Sequence, residues 1–238
     1  TNVVGSTLTR LSRVYVCQQS GPEIGVAATK TFTSQLSVLS QLALNVAKKR
    51  GKISHTEIED LEEKLQQIPS IVEKILKTQE EKLRLLAKKY KDRRCFFFLG
   101  RGISSATALE GKLKLLEIAY VPSIAYPAGE SKHGPISLIE PGFPVIFICP
   151  KDETRKTIMG NIMEMKARGA SVIAILEEGD EETKRVVDDC IEVPKGFPEV
   201  LSPIPYVIPL QLFAYYVAVE RNCDPDMPRN LAKSVTVK

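Results

Sequence analysis

The sequence predicts an α/β fold: a doubly wound, five-stranded parallel sheet preceded by a mainly helical stretch. Five apolar runs of strand length, at residues 95–99, 123–126, 145–149, 172–176 and 190–193, alternate with segments that read as helices. Strands and helices alternating in this way build a parallel sheet, and ligands then bind off the carboxyl ends of the strands. Gly100-Arg101-Gly102 follows the first run, where a phosphate loop would sit. A G-x-G lacking the third glycine is more often a tight turn.

The helices follow in order. From 27 to about 50 the pattern mixes Leu and Val with Thr, Ser and Gln, contains no proline, and meets Gly51 as a stop signal. Its first turn offers free backbone N–H groups on which an anion or a sugar hydroxyl could dock. Residues 54–92 read as two amphipathic helices broken at Pro69, with a solvated charged face. Further helices are expected from Ser104, briefly near His133, over 154–168, briefly near Glu181, and through the apolar stretch 201–219. A β-rich run at 13–17 reads as a short strand.

Composition narrows the function. The chain has 238 residues, 43% hydrophobic and 26% charged, so it is ordinary globular material. A net charge of +4 without a basic block interleaved with aromatics leaves no footprint for nucleic acid, although it suits a small anionic ligand. Cys17, Cys95, Cys149, Cys190 and Cys223 are scattered and form no C-x-x-C pair, which predicts reduced core thiols of a cytoplasmic protein and neither a metal site nor a cofactor. The apolar stretch carries Pro203, Pro205, Pro209 and Gln211, and reads as a buried helix in place of a membrane span. The chain opens on Thr1 without a methionine or a signal peptide, and is expected to be a piece of something longer.

The chemistry-bearing stretch runs from Phe97 to Pro135. On a helix starting near Ser104, Glu110, Lys114 and Glu117 fall within roughly 60° of one another. Leu109, Leu113, Leu116 and Tyr120 flank this stripe on one side and Ile118 on the other, leaving little of the helix free to face water. A charged stripe walled by apolar residues needs partners or a cavity. The loop Pro127-Ala128-Gly129-Glu130-Ser131-Lys132-His133-Gly134-Pro135 then displays one of two histidines, which beside a Glu/Lys helix could shuttle protons.

Four segments, GPEIGVAATKTFTSQ, LGRGISSATALEGKLKLLEIAYV, AGESKHGP and PRNLAKSVTV, resemble in order and separation the isomerase part of the glutamine:fructose-6-phosphate amidotransferase (glucosamine-6-phosphate synthase) family. The resemblance covers essentially the whole chain. It implies that residues 1–51 close a first sugar isomerase (SIS) domain, 52–90 form a helical connector, and 91–238 form a second SIS domain with a catalytic tail. The glutaminase domain and the early part of the first SIS domain, with its phosphate loops, would lie outside this sequence.

The resemblance also assigns roles. Lys233 would form a Schiff base with C2 of open-chain fructose 6-phosphate, helped by nearby cations such as Lys114 or Arg229. Glu117 would carry a proton between C1 and C2, and Lys114 would steady the developing enediol oxygen. His133, contributed by the neighbouring subunit of a homodimer, would open the sugar ring. Val26, Ala28 and Glu110 would contact the sugar, Ala28 standing where relatives often carry a serine. The implied product is glucosamine 6-phosphate, with ammonia supplied by the glutaminase domain.

Overall fold

The computed structural model describes residues 1–233. Five strands, β1 (Phe96–Gly100), β2 (Ser123–Pro127), β3 (Pro144–Cys149), β4 (Ser171–Glu177) and β5 (Asp189–Val193), lie parallel in the order β2-β1-β3-β4-β5. Each falls within one residue of its expected bounds. Alternation along the strands sorts their side chains into two cores. Phe96, Phe98, Ile146 and Ile148 face one helical layer, while Phe97, Leu99, Val145 and Phe147 face the other.

The first layer is built by α3 (His55–Tyr90), α4 (Ser104–Ala119) and α7 (Pro203–Glu220). On the other face lie α5 (Arg155–Lys166), short α6 (Glu181–Lys184) and the 3-10 turn Ala128–His133. Helix α7 is apolar and long enough to cross a membrane by composition, yet it is a mostly buried core element, as expected.

Helix α3 corrects the expectation of a break at Pro69, because it continues through that residue for 36 residues. An interior proline costs about 3 kcal/mol locally. Ile58 and Ile68 before it and Ile75, Leu83 and Leu86 after it are buried along the helix, each contributing roughly 1.5–3 kcal/mol, so continuity wins. A Ser54–Glu57 capping box fixes the start, and the Tyr90 hydroxyl donates to Asp189 Oδ2 at 2.7 Å near the end. The second half of α3 thus belongs to the first core layer.

Two further expectations are corrected. Residues 13–17 pair with no strand among the described residues, and Val14, Tyr15 and Val16 are exposed; a short α1 (Thr7–Leu11) precedes them. Helix α2 (Lys30–Lys49) begins three residues later than predicted and stops at Gly51, whose φ of +58° suits glycine. Gly100-Arg101-Gly102 is a tight turn: a Cβ at Gly100 would lie 2.4 Å from Ser104 O, and Arg101 donates to Asn161 Oδ1.

Candidate active site

Helix α4 brings its three charged residues together as the helical period requires. Lys114 is 2% exposed, and its Nζ stands 3.2 Å from Glu110 Oε1 and 2.8 Å from Glu117 Oε2. The distances make ion pairs, and both oxygens are buried without an aligned hydrogen bond from any of the described residues. Burial pushes the Glu110 carboxyl above its ordinary range; Lys114 opposes this and Glu117 adds to it. The flank is less enclosed than the sequence suggested: Leu109 and Leu116 are half exposed, and Ala108, Leu115 and Ile118 form the buried side.

The loop before α2 and the segment after α7 close over this helix. Val26 N–H donates to Asp226 O at 3.0 Å, and Arg229 N–H donates to the Tyr120 hydroxyl at 2.8 Å. A Cβ on Gly25 would stand 2.9 Å from Asp226 Oδ1, so glycine permits this approach. Between loop and helix opens a cavity of roughly 430 Å3, lined in part by Glu23, Ala27, Lys114, Ile118 and Gln211.

Lys233 folds back onto that loop. Its Nζ lies 2.5 Å from Glu23 Oε2 and 3.4 Å from Val26 O. Of the cations expected to help it, Lys114 lies between its two glutamates on the same cavity as Glu23, and the Arg229 guanidinium sits 4.3 Å over the Tyr120 ring. Ser234 to Lys238 lie outside the described residues.

Glu23 was invisible to the sequence reading. It also fills the place foreseen for an external anion, because its Oε1 accepts from the Thr29 and Thr31 N–H groups at the start of α2. Burial would raise its pKa, but hydrogen bonds from Lys233, the Thr31 hydroxyl and these two amides outweigh burial and bring it down to about 2. The available signal was a lone acid shortly before a helix start.

The predicted residues fall into two local groups and one residue apart from both. Glu110, Lys114 and Glu117 form one cluster; Lys233 meets Val26, and Ala28 is the half-buried second neighbour of Val26. His133 is exposed at the end of the 3-10 turn that follows β2. Helix α4 runs back from the end of β1, so Glu117, thirteen positions beyond Ser104, lies about 20 Å along its axis. His133 and Glu117 of one chain therefore sit towards opposite ends of the sheet.

A parallel sheet of this order, wound on both faces by helices, defines a doubly wound α/β protein. The SIS domain model matches residues 89–221, and the chain belongs to that family. It is 52% identical over 237 residues to a glutamine–fructose-6-phosphate aminotransferase (isomerizing) of Thermococcus kodakarensis, covering all of this chain and 39% of the relative. The same-named protein of Clostridium tetani is 46% identical over 238 residues, again 39% of its length. The solved C-terminal domain of glucosamine-fructose-6-phosphate aminotransferase from Francisella tularensis superposes with a TM-score of 0.89 at 35% identity, covering 95% of this chain and 64% of that one. The chain thus spans about two fifths of the curated relatives it matches.

Proposed function

We propose that this chain is the isomerase part of an isomerizing glutamine–fructose-6-phosphate aminotransferase, residues 1–51 closing one SIS domain, 52–90 connecting, and 91–238 forming the second. Open-chain fructose 6-phosphate occupies the crevice between the 22–30 loop and α4. The Lys233 amine adds to C2, the carbonyl oxygen leaves as water, and an imine forms. Ammonia from a glutaminase domain replaces the lysine at C2, releasing the amine. Glu117 removes a proton from C1 and returns it at C2, while the C1 hydroxyl proton passes to the nitrogen, leaving an aldehyde at C1 and an amine at C2: glucosamine 6-phosphate. Lys114 steadies the negative charge that develops on the C1 oxygen, and Glu110 accepts from a sugar hydroxyl. Val26 and Ala28 line the sugar with backbone groups. His133 of the neighbouring subunit in a homodimer opens the furanose ring, and the reaction is cytoplasmic.

The observation that carries this reading is the return of the Lys233 amine to the loop whose cavity Lys114 also lines. Borohydride added with fructose 6-phosphate to the full-length protein is expected to leave a reduced sugar adduct on Lys233, located by peptide mass spectrometry. Unmodified Lys233 under turnover conditions would point to a sugar-phosphate sensor without catalysis.

A further inference from the structure

Glu23 is bound more completely than any solvated loop acid requires. Its side chain is 7% exposed, and its two oxygens divide the work. Oε1 takes the Thr29 N–H at 2.9 Å and the Thr31 N–H at 3.3 Å, which are unpaired donors of the α2 start. Oε2 takes the Thr31 hydroxyl and the Lys233 ammonium, both at 2.5 Å. Three of these four contacts lie within eight residues and are satisfied whether or not the C-terminal segment is in place. The carboxylate is therefore fixed before Lys233 arrives.

We propose that Glu23 is the positioning residue that sets the Lys233 amine at the edge of the crevice, using the capped start of α2 as its rigid base. The inference rests on the assignment of Lys233 as the amine that meets the sugar. A lysine side chain has four rotatable bonds and about 2 kcal/mol of rotamer entropy, so an unguided amine 41% exposed would spend most of its time in water. Holding it over the cavity pre-organises the encounter with C2. Glu23 is not the base that frees the amine: a carboxyl titrating near 2 is too weak an acceptor. Its contribution is to location, and Val26 O, 3.4 Å from the same nitrogen, gives the second point of support.

The experiment uses the full-length protein with Glu23→Gln, Glu23→Asp and Thr31→Val. Without sugar, an amine-acylating reagent labels lysines, and mass spectrometry compares Lys233 with exposed Lys48 as internal standard. Labelling of Lys233 is expected to rise roughly fivefold in Glu23→Gln, on the scale of a charge-assisted contact worth about 1 kcal/mol. Glu23→Asp keeps the charge and is expected to restore part of the protection. Thr31→Val removes one support of the carboxylate, giving a smaller rise, and serves if Glu23→Gln fails to fold. In turnover, kcat falls at least tenfold in Glu23→Gln while KM for fructose 6-phosphate stays within twofold. Unchanged labelling in Glu23→Gln and Thr31→Val overturns the proposal, as does a loss carried by KM alone. Changed labelling together with a wild-type protein that borohydride never traps would instead sink the Schiff-base assignment while leaving the Glu23 contact standing.

Discussion

Lys114 Nζ and Glu117 Oε2 stand 2.8 Å apart, one turn of helix from each other, and the lysine side chain is only 3% exposed. Glu110 lies against the same ammonium from the turn before. One cation thus holds two carboxylates out of water, and removing it leaves them facing each other uncompensated. Lys114→Met keeps the stem and deletes the charge, so the expected loss is about 3–5 kcal/mol, the usual cost of breaking a buried pair from one side. Urea unfolding at neutral pH measures it. A loss below about 1 kcal/mol would mean that the two acids are solvated and that no charged stripe exists.

Glu110 gives the stripe its pH dependence. Because burial raises its pKa above the usual 4.5, the folded chain keeps the proton where the unfolded chain has released it. Ionising Glu110 therefore subtracts stability as pH rises through 4.5, and the full subtraction is in force above the raised folded value. Glu110→Gln removes that subtraction and leaves Lys114 paired with Glu117. The variant is expected to be more stable than the parent at pH 7 and to lose its advantage near pH 3.5, while sugar turnover falls. Urea midpoints at the two pH values test this; an equal gain at both would show that packing, not ionisation, is responsible.

The stripe and the sheet were legible because each is encoded by a short period. Glu110, Lys114 and Glu117 need only the helical repeat to meet, and the apolar runs around Phe97, Ile146 and Ile173 need only strand length. The contact between Glu23 and Lys233 escaped because it joins positions 210 apart, and no local pattern announces it. Pro69 misled for a different reason: its cost is local, whereas the burial that outweighs it is distributed over α3 and depends on α7, which arrives much later in the chain. At 13–17 the β-rich letters were real, but a strand needs a neighbour, and none of the described residues supplies one.

Two glycines in helices predict opposite signs for the same substitution. A Cβ at Gly111 would lie 2.6 Å from Leu210 Cδ1 and 3.2 Å from Leu210 Cβ, and Leu210 is 1% exposed within the α4–α7 contact. Gly111→Ala is expected to lose about 1–2 kcal/mol, because overpacking outweighs the gain in helix propensity. Gly160 in α5 has nothing within 4 Å of that position, so Gly160→Ala is expected to gain about 0.5–1 kcal/mol. Thermal unfolding of the pair decides it. Stabilisation by both would show that α4 and α7 do not approach this closely.

The separation of His133 from the Glu117 crevice makes a sharp prediction about assembly. If the ring-opening histidine comes from the neighbouring subunit, His133→Ala and Lys233→Ala each inactivate the full-length homodimer, and neither should unfold it, since both side chains are substantially exposed. Random reassortment of the two variants makes about half the dimers mixed, and two-fold symmetry gives each mixed dimer one site with both residues intact and one with neither. Mixing inactive variants is therefore expected to restore about a quarter of parental turnover. If His133 instead served its own chain, every site in the mixture would lack one residue or the other and no activity would return. Assaying the variants separately and after mixing by denaturation and refolding distinguishes the two arrangements without a ligand-bound structure.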